Sequence, residues 1–362
     1  MRVFNCDACG HPVFFDSVQC VHCGATLAFI PELLRVAALR PAAAPTPAPA
    51  SGTLWSLLTD RAAGAPRYKL CSHRGPVGQC NFALSADDAH ALCASCRQTR
   101  WLPDLSAPAN ALHWTRIEAA KRQLFYTLSK LGLGPDAGHA EPRFELLADL
   151  PGQEPVMTGH ANGTITLNVA EADDAERARR RLALHEPYRT LIGHLRHESG
   201  HFFWDQLVQS TGRIDEFRSL FGDERQDYGQ ALQHYYGRDP LDTGWRSQFI
   251  SAYATAHPWE DWAETWAHYL HMVDLLETAA SYGTHLGLPT ATGLAPVQRV
   301  HDPFEPGAAR NFQAMVDQWV PLTLLANSLN RSLGHGDAYP FATSAGALRK
   351  LQFVHDAVQD RR

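Results

Sequence analysis

The chain has 362 residues, of which 45% are hydrophobic and 19% charged, and its formal net charge is −6. This composition excludes a mainly disordered chain, and the length suits roughly two or three folding units. The negative charge argues against a dedicated nucleic-acid-binding protein. No run of about eighteen apolar residues is present, and the N-terminal residues lack the apolar stretch of a signal peptide. The sequence therefore predicts a cytoplasmic protein without a membrane segment.

A double cysteine pair opens the chain, with Cys6-x-x-Cys9 followed after ten residues by Cys20-x-x-Cys23. Each pair supplies two thiolates from a tight turn, and two such pairs can surround one zinc ion as a tetrahedron. Four buried but unligated thiols are a poor alternative in a segment too small to fold without a metal. The pattern predicts a structural zinc ribbon, although a rubredoxin-like iron site is also compatible with four thiolates.

A second cysteine group follows, with one true Cys-x-x-Cys pair and two further cysteines. Its members are Cys71, Cys80, Cys93 and Cys96. His73 and His90 lie nearby and could replace a thiolate. This group predicts a second structural zinc site, and the alternative is a partial site with two ordinary buried cysteines.

The distribution of cysteine and proline suggests four segments. Residues 1–30 form the zinc ribbon, and residues 31–67 combine a helix at 31–40 with a Pro/Ala-rich linker at 41–50. Residues 68–107 form the second cysteine module. Residues 108–362 contain no cysteine and form the main domain.

Periodicity within the main domain predicts a mixture of helices and at least one strand. Apolar residues at helical spacing predict a helix at 113–131. Alternation at 164–169, after an Asn162-Gly163 turn, predicts a strand that either pairs with extended substrate at a sheet edge or is an ordinary sheet strand. A charged helix capped at 173–174 should end before Pro187, and another should begin near Tyr188.

That last helix carries the sequence His197-Glu198-Ser199-Gly200-His201. Residues four apart share one helical face, so both histidines can direct a ring nitrogen at the same ion. Glu198 lies beside them without being a ligand. Zinc lowers the pKa of a bound water. Glu198 can remove a proton from this water as the water attacks a carbonyl group, and can later deliver the proton to the leaving amine. Gly200 suggests a close backbone approach.

A catalytic zinc needs a third protein ligand, and the best candidate lies in the sequence His-Pro-Trp-Glu-Asp-Trp-Ala-Glu at 257–264. Pro258 indicates a helix start. Glu260 is favoured as the ligand, with Asp261 or Glu264 as alternatives, and the other glutamate can hold a ligand histidine by its second nitrogen. Alternatively, the acidic residues only interact favourably with the dipole at the start of the helix. The neighbouring tryptophans, however, indicate that these carboxylates are buried.

The motif at 197–201 followed by Glu260-x-x-x-Glu264 resembles the gluzincin metallopeptidases, in particular those of the lethal-factor type. The resemblance implies that Glu260 binds zinc and that Glu264 lies in the outer shell. It also implies that Tyr253, seven residues before Glu260, supports the oxyanion. A packed aromatic side chain is the other interpretation of Tyr253.

A second resemblance covers nearly the whole chain. The two cysteine groups, Thr-Gly-His-Ala-Asn-Gly-Thr-Ile-Thr-Leu-Asn at 158–168, the segment 186–190, His-Leu-Arg-His-Glu-Ser-Gly-His at 194–201 and the segment 257–270 are similar to a bacterial zinc-binding metallopeptidase family. The resemblance implies an α+β, zincin-like and mainly helical domain at 108–362. It supports the fold and the metal more than any particular substrate.

The sequence thus predicts a peptidase with one catalytic and two structural zinc ions, acting on a peptide or protein substrate. A non-peptide amide is a second possible substrate class. The rival is a non-catalytic adaptor whose ribbons bind protein or nucleic acid and whose motif helix holds a structural or latent metal. A fourth ligand such as His194 would favour the adaptor, although His194 is expected to be a hydrogen-bonded neighbour. The ribbons could also recruit a protein partner.

Overall fold

The computed structural model describes residues 1–42, 53–60, 62, 64–75, 78–135, 138, 140–183, 189–239, 242–291, 293–294, 296–305, 307 and 311–361. Most of the predicted linker at 41–50, and the predicted helix break at Pro187, lie outside these residues. The chain forms two compact units, Met1–Met157 with Thr166–Ala172 and Thr158–Ile165 with Asp173–Arg362. The mixture of helices and small sheets confirms the α+β class. The domain limits drawn from the sequence stay predictions.

The first unit contains a hairpin, a five-stranded sheet and part of a smaller sheet. Its strands are β1 (Phe4–Asn5), β2 (Pro12–Val13), β3 (Thr26–Ile30), β4 (Arg35–Pro41), β5 (Trp55–Leu57), β6 (Arg67–Leu70), β7 (Ala83–Ser85), β8 (Thr99–Trp101) and β9 (Arg143–Leu147). Strands β3 to β7 form an antiparallel sheet in chain order. β8 and β9 pair in parallel.

The helix predicted at 31–40 is wrong. Pro31–Leu33 forms only a short 3-10 turn, Leu34 adopts a left-handed conformation with φ 49°, and β4 follows. Alternate residues of the sheet enter two hydrophobic clusters, as Val36 and Ala37 illustrate. Because both faces are covered, the strand sequence is a continuous apolar run, which periodicity does not distinguish from a buried helix.

The described part of the first unit also contains the helices α1 (Ala94–Arg97) and α2 (Pro108–Lys130). The second covers the predicted helix at 113–131 except for Leu131, which caps its end, and buries the expected face, including Trp114, Ile117 and Leu124. Pro108 occupies its first turn, where a missing N–H costs nothing.

The second unit is mainly helical. Its helices are α3 (Asp174–Ala183), α4 (Leu191–Leu207), α5 (Ile214–Phe221), α6 (Tyr228–Tyr236), α7 (Pro258–Ser281), α8 (Phe312–Ser332) and α9 (Ala345–Gln359). Its short strands are β10 (Gly159–Ala161), β12 (His285–Leu286), β13 (Pro289–Thr290), β14 (Gly293–Leu294) and β15 (Gln298–Arg299). No helix in the described part of the chain is long and apolar enough to cross a membrane.

The predicted turn at Asn162-Gly163 is confirmed. Both residues have positive φ, 51° and 76°, and they join β10 to β11 (Thr164–Asn168). Two successive left-handed residues are typical of tight hairpins. β11 has a neighbouring strand on each side, so the strand predicted at 164–169 is not an edge strand, and in the described part of the chain β10 is the terminal strand instead.

Helix caps fix the start of the two central helices. The Thr190 hydroxyl accepts a hydrogen bond from the Gly193 amide at 3.1 Å, so α4 begins slightly later than the predicted Tyr188. His257 caps α7, its Nδ1 accepting from the Trp259 amide at 3.1 Å, and Pro258 occupies the first turn as predicted.

Candidate active site

Helices α4 and α7 approach each other closely at Gly200. A Cβ atom there would lie 2.9 Å from Cα of Ala263 and 3.0 Å from the Trp266 ring. Trp262 Nε1 donates a hydrogen bond to the Gly200 carbonyl at 2.8 Å. The glycine of the motif therefore permits direct contact between the two helices, and this contact places the motif residues opposite the acidic first turns of α7.

Three side chains from these helices converge at one point. Nε2 of His197 lies 3.0 Å from Oε2 of Glu260, and Nε2 of His201 lies 3.5 Å from Oε1. One candidate ligand atom from each of the three residues lies within 4.8 Å of the others. A tetrahedral zinc with bonds of about 2.0–2.2 Å separates neighbouring ligand atoms by about 3.3–3.6 Å. Two imidazoles and one carboxylate at this spacing fit a zinc ion.

Glu264 lies one helical turn after Glu260 and holds the other side of His197. Its Oε1 lies 2.7 Å from Nδ1 of His197, and its Oε2 accepts a hydrogen bond from the Ser251 hydroxyl at 2.6 Å. Ser251 in turn accepts from the Ala254 amide. A carboxylate behind a histidine fixes the ring orientation and increases its strength as a ligand.

The carboxylates make the site favourable for a positive charge. Burial alone would lower the pKa of His197, but Glu260 and Glu264 outweigh burial and raise that pKa well above its ordinary value. Burial likewise acts to raise the pKa of Glu260, but His201 and His197 hold it well below its usual range. A proton or a metal ion would satisfy this arrangement.

Two tyrosines border Glu260 and His197. The Tyr228 hydroxyl donates a hydrogen bond to Oε1 of Glu260 at 2.7 Å. The Tyr253 ring lies 5.9 Å from the His197 ring, measured between centroids. Burial and the nearby Glu260 raise the pKa of both phenols, so each keeps its proton and can act as a hydrogen-bond donor.

Glu198 is buried beside the converging ligand atoms. Its Oε1 lies 3.3 Å from Nε2 of His194, one turn earlier on α4. Burial acts to raise the pKa of Glu198, but His194 and the neighbouring histidines lower it overall, so the side chain is a carboxylate. His194 is thus a neighbour of Glu198 rather than a member of the converging group.

His160 on β10 approaches the same face of α4. Its ring is nearly parallel to that of His201, with an interplanar angle of 11° and a centroid distance of 6.4 Å. Burial, and secondarily the nearby His201, lower the pKa of His160 to about 4, so its imidazole is neutral.

In the first unit, the eight cysteines form the two predicted groups. Sγ atoms lie 3.7 Å apart for Cys6 and Cys23 and for Cys9 and Cys20. In the second group the distance from Cys80 is 3.8 Å to Cys93 and 3.7 Å to Cys96, and Cys71 completes this set. These spacings match the edge of a tetrahedron with Zn–S bonds of about 2.3 Å, which is about 3.8 Å, and they are too long for disulfides.

The structure brings together the side chains that the sequence selected for the catalytic metal, but it excludes one alternative. Asp261 points elsewhere, because Lys350 Nζ forms a buried ion pair with its Oδ2. Sequence reasoning missed Tyr228, Ser251 and His160. These three residues come from separate segments of the chain. The sequence pointed towards the site only for His160, which belongs to the hairpin that precedes α4.

Comparison with known proteins agrees with this geometry. Residues 110–357 match a family described as "Putative zinc-binding metallo-peptidase", and residues 3–107 match a zinc-ribbon domain. The chain belongs to this zinc-binding metallopeptidase family, which confirms the resemblance noted from the sequence. Two uncharacterized proteins of Mycobacterium tuberculosis and one of Mycobacterium bovis are each 38% identical over 368 residues, covering 99% of this chain and 96% of each relative. No solved structure matches significantly.

Proposed function

We propose that the protein is a gluzincin-type zinc peptidase that hydrolyses peptide bonds. The observation that carries this proposal is the convergence of His197, His201 and Glu260, with the ionised Glu198 beside them. These three residues would hold the zinc, and Glu264 would orient His197. Zinc held there supplies Lewis-acid chemistry, because it polarises a carbonyl group and lets water attack near neutral pH.

The residues of the chain then divide the proton transfers. A carboxylate oxygen of Glu198 accepts a proton from the attacking water, and the same oxygen later delivers it to the nitrogen of the leaving amine. Nε2 of His194 lies 3.3 Å from Oε1 of Glu198, and this contact holds the carboxylate in position. Tyr253 keeps its proton and donates a hydrogen bond to the oxyanion that forms on the carbonyl oxygen. The products are a carboxylic acid and an amine.

The adaptor alternative requires a closed metal site. Among the described residues the converging group contains three side chains, and His194 lies against Glu198 instead. Three protein ligands leave a position open for chemistry, which supports the peptidase. We also propose the reducing cytoplasm as its compartment, because the cysteine sulfurs are spaced for metal binding rather than for disulfides.

A peptide library tests the proposal. The zinc-loaded full chain is incubated with random octapeptides, and cleavage is followed by mass spectrometry. Glu198→Gln should lower cleavage at least about 100-fold while zinc content stays unchanged, because it removes the general base. Glu216→Gln, at an exposed position on α5, is the matched control. Undiminished cleavage by Glu198→Gln would refute the role of Glu198, and an inactive wild type would refute the peptidase proposal.

Tyr253→Phe tests the oxyanion role separately. The change should lower kcat about 10- to 100-fold and leave KM and zinc content nearly unchanged, because the hydrogen bond strengthens only as charge develops. An unchanged kcat would identify Tyr253 as a packed aromatic side chain.

A further inference from the structure

His160 lies beside the candidate metal-binding side chains but has no part in the chemistry described above. It is the central residue of β10, and this strand packs on α4. Its ring lies over that of His201, and Phe202 packs against it with a centroid distance of 6.1 Å. The hairpin and the motif helix therefore hold this imidazole in a defined position next to the site.

One nitrogen of this imidazole is screened from solvent. Nε2 of His160 has no hydrogen-bond partner among the residues that the structure describes. Buried polar atoms in native proteins are nearly always hydrogen-bonded, and an exception calls for a specific explanation such as a catalytic role. The His160 ring lies 6.4 Å from the His201 ring, measured between centroids, so a molecule bound at the site would lie close to this imidazole.

Two roles within the site are already filled by other residues. The group of converging ligand atoms in the described chain consists of His197, His201 and Glu260 and does not include His160. Glu198 has His194 as its neighbouring imidazole at 3.3 Å, so His160 is not needed to hold that carboxylate.

We propose that His160 contacts the substrate directly, and that its Nε2–H donates a hydrogen bond to a carbonyl oxygen of the bound peptide. This inference rests on the proposed peptidase function. Among the described residues β10 is the terminal strand of its sheet, so an extended peptide can run along its outer edge and present carbonyl groups to its side chains. Because side chains alternate along a strand, His160 faces α4 while Ala161 faces away.

Two substitutions separate the hydrogen bond from the packing of the ring. His160→Phe keeps an aromatic ring against Phe202 but removes the N–H, whereas His160→Gln keeps an N–H donor at a similar reach. His335→Leu, at an exposed position after α8, is the control for loss of a histidine. Should His160→Phe fail to fold, as judged by its Tm, His160→Leu provides the same test without a ring.

The first measurement is kcat/KM on the octapeptide that wild type cleaves fastest from the random library. We expect His160→Phe to lower kcat/KM about 10- to 100-fold and His160→Gln to stay within about threefold of wild type. The second measurement is binding, by fluorescence anisotropy, of the same labelled octapeptide to zinc-loaded Glu198→Gln protein. Adding His160→Phe to this inactive protein should raise the Kd about tenfold with unchanged zinc content.

The outcomes separate this inference from the function on which it rests. Equal hydrolysis and equal binding by a folded His160→Phe protein would overturn the inference and leave the peptidase in place. A loss of zinc that accounts for the lost activity would also overturn it, because His160 would then support the metal rather than the substrate. A wild type that cleaves no library peptide would overturn the proposed function, and the role of His160 with it.

Discussion

Oε1 of Glu264 lies 2.7 Å from Nδ1 of His197, so a carboxylate of α7 fixes the ring whose other nitrogen faces Glu260. Glu264→Gln keeps the size of this side chain but removes its charge. We expect the affinity of the catalytic site for zinc to fall about 10- to 100-fold, as is typical when such an outer partner is lost. Competition with a zinc chelator measures this affinity, and Glu216→Gln on α5 is the control. An unchanged affinity would mean that Glu264 does not support the ligand.

Metal content tests the three groups of ligand residues. We expect three zinc ions per wild-type chain and two in His197→Ala and in Glu260→Ala, because each change removes one of three ligands from a single site. Elemental analysis of the folded proteins gives the count. Two ions in wild type and no change in either variant would contradict a stable zinc centre on α4 and α7.

The Tyr228 hydroxyl donates to Oε1 of Glu260 at 2.7 Å and so limits how this carboxylate can turn. Tyr228→Phe should weaken zinc binding about 10-fold, since a hydrogen bond to a charged group contributes about 1.5–3 kcal/mol. Tyr236→Phe removes a hydroxyl from the other end of α6, at a largely exposed position, and should leave zinc affinity unchanged. Equal zinc affinity in the two variants would show that Tyr228 does not act on the ligand.

Gly200 permits the contact between α4 and α7, because a Cβ atom would lie 2.9 Å from Cα of Ala263. Gly200→Ala should therefore lower the free energy of unfolding by about 1–3 kcal/mol through overpacking, although alanine favours a helix by about 1 kcal/mol. Gly229→Ala on α6 is the matched control, since its Cβ would meet only ordinary contacts. Urea unfolding provides the comparison, and a stabilised Gly200→Ala protein would contradict the close approach.

His268 predicts an acid-sensitive step in stability. Burial lowers its pKa to about 4, with Glu264 and His197 acting on it through space, and its Nδ1 lies 2.6 Å from the Tyr339 hydroxyl. In the unfolded chain His268 has its ordinary pKa of about 6.5, so there it binds a proton at a higher pH than in the folded protein. The free energy of unfolding therefore decreases as the pH falls from about 6.5 towards 4. The pH range over which stability is lost therefore lies below neutrality.

The test compares wild type with His268→Gln at pH 7 and pH 5 by urea unfolding. The loss of unfolding free energy on acidification should be about 2 kcal/mol larger in wild type. Zinc ligands titrate in both proteins, so the difference between the two isolates His268. His335→Gln should behave like wild type, and an equal pH dependence in all three proteins would refute the prediction.

The sequence predicted those parts of the site that depend on local spacing. His197 and His201 are brought to one side by a single helical turn, and Cys6 and Cys9 by a single tight turn, so their geometry is almost contained in the motif. Tyr228 and Ser251 reach the site only through tertiary packing. Without that packing, no spacing rule connects them with Glu260 or Glu264.

Secondary structure, like the site, was predictable where it depends on a local pattern and not where it depends on tertiary packing. The helix at 113–131 was predictable because one face is apolar and the other is not. β4 was not predictable, because neighbours on both sides, such as Val36 and Ala37, are buried in a sheet covered on both faces. Which long-range partner covers each face is information that a local pattern does not contain.

The hydrophobic core of the first unit contains cysteines from both four-sulfur groups, together with Phe29 of β3 and Phe82, which directly precedes β7. A metal ion bound by either cysteine group stabilises this shared core. The folded core in turn holds the sulfur atoms of the other group close together, so that they can bind a second metal ion. By linkage, occupancy of one site raises the affinity of the other. The two ions should therefore bind and leave cooperatively, so that partly loaded chains are scarce and the first unit is either complete or unfolded.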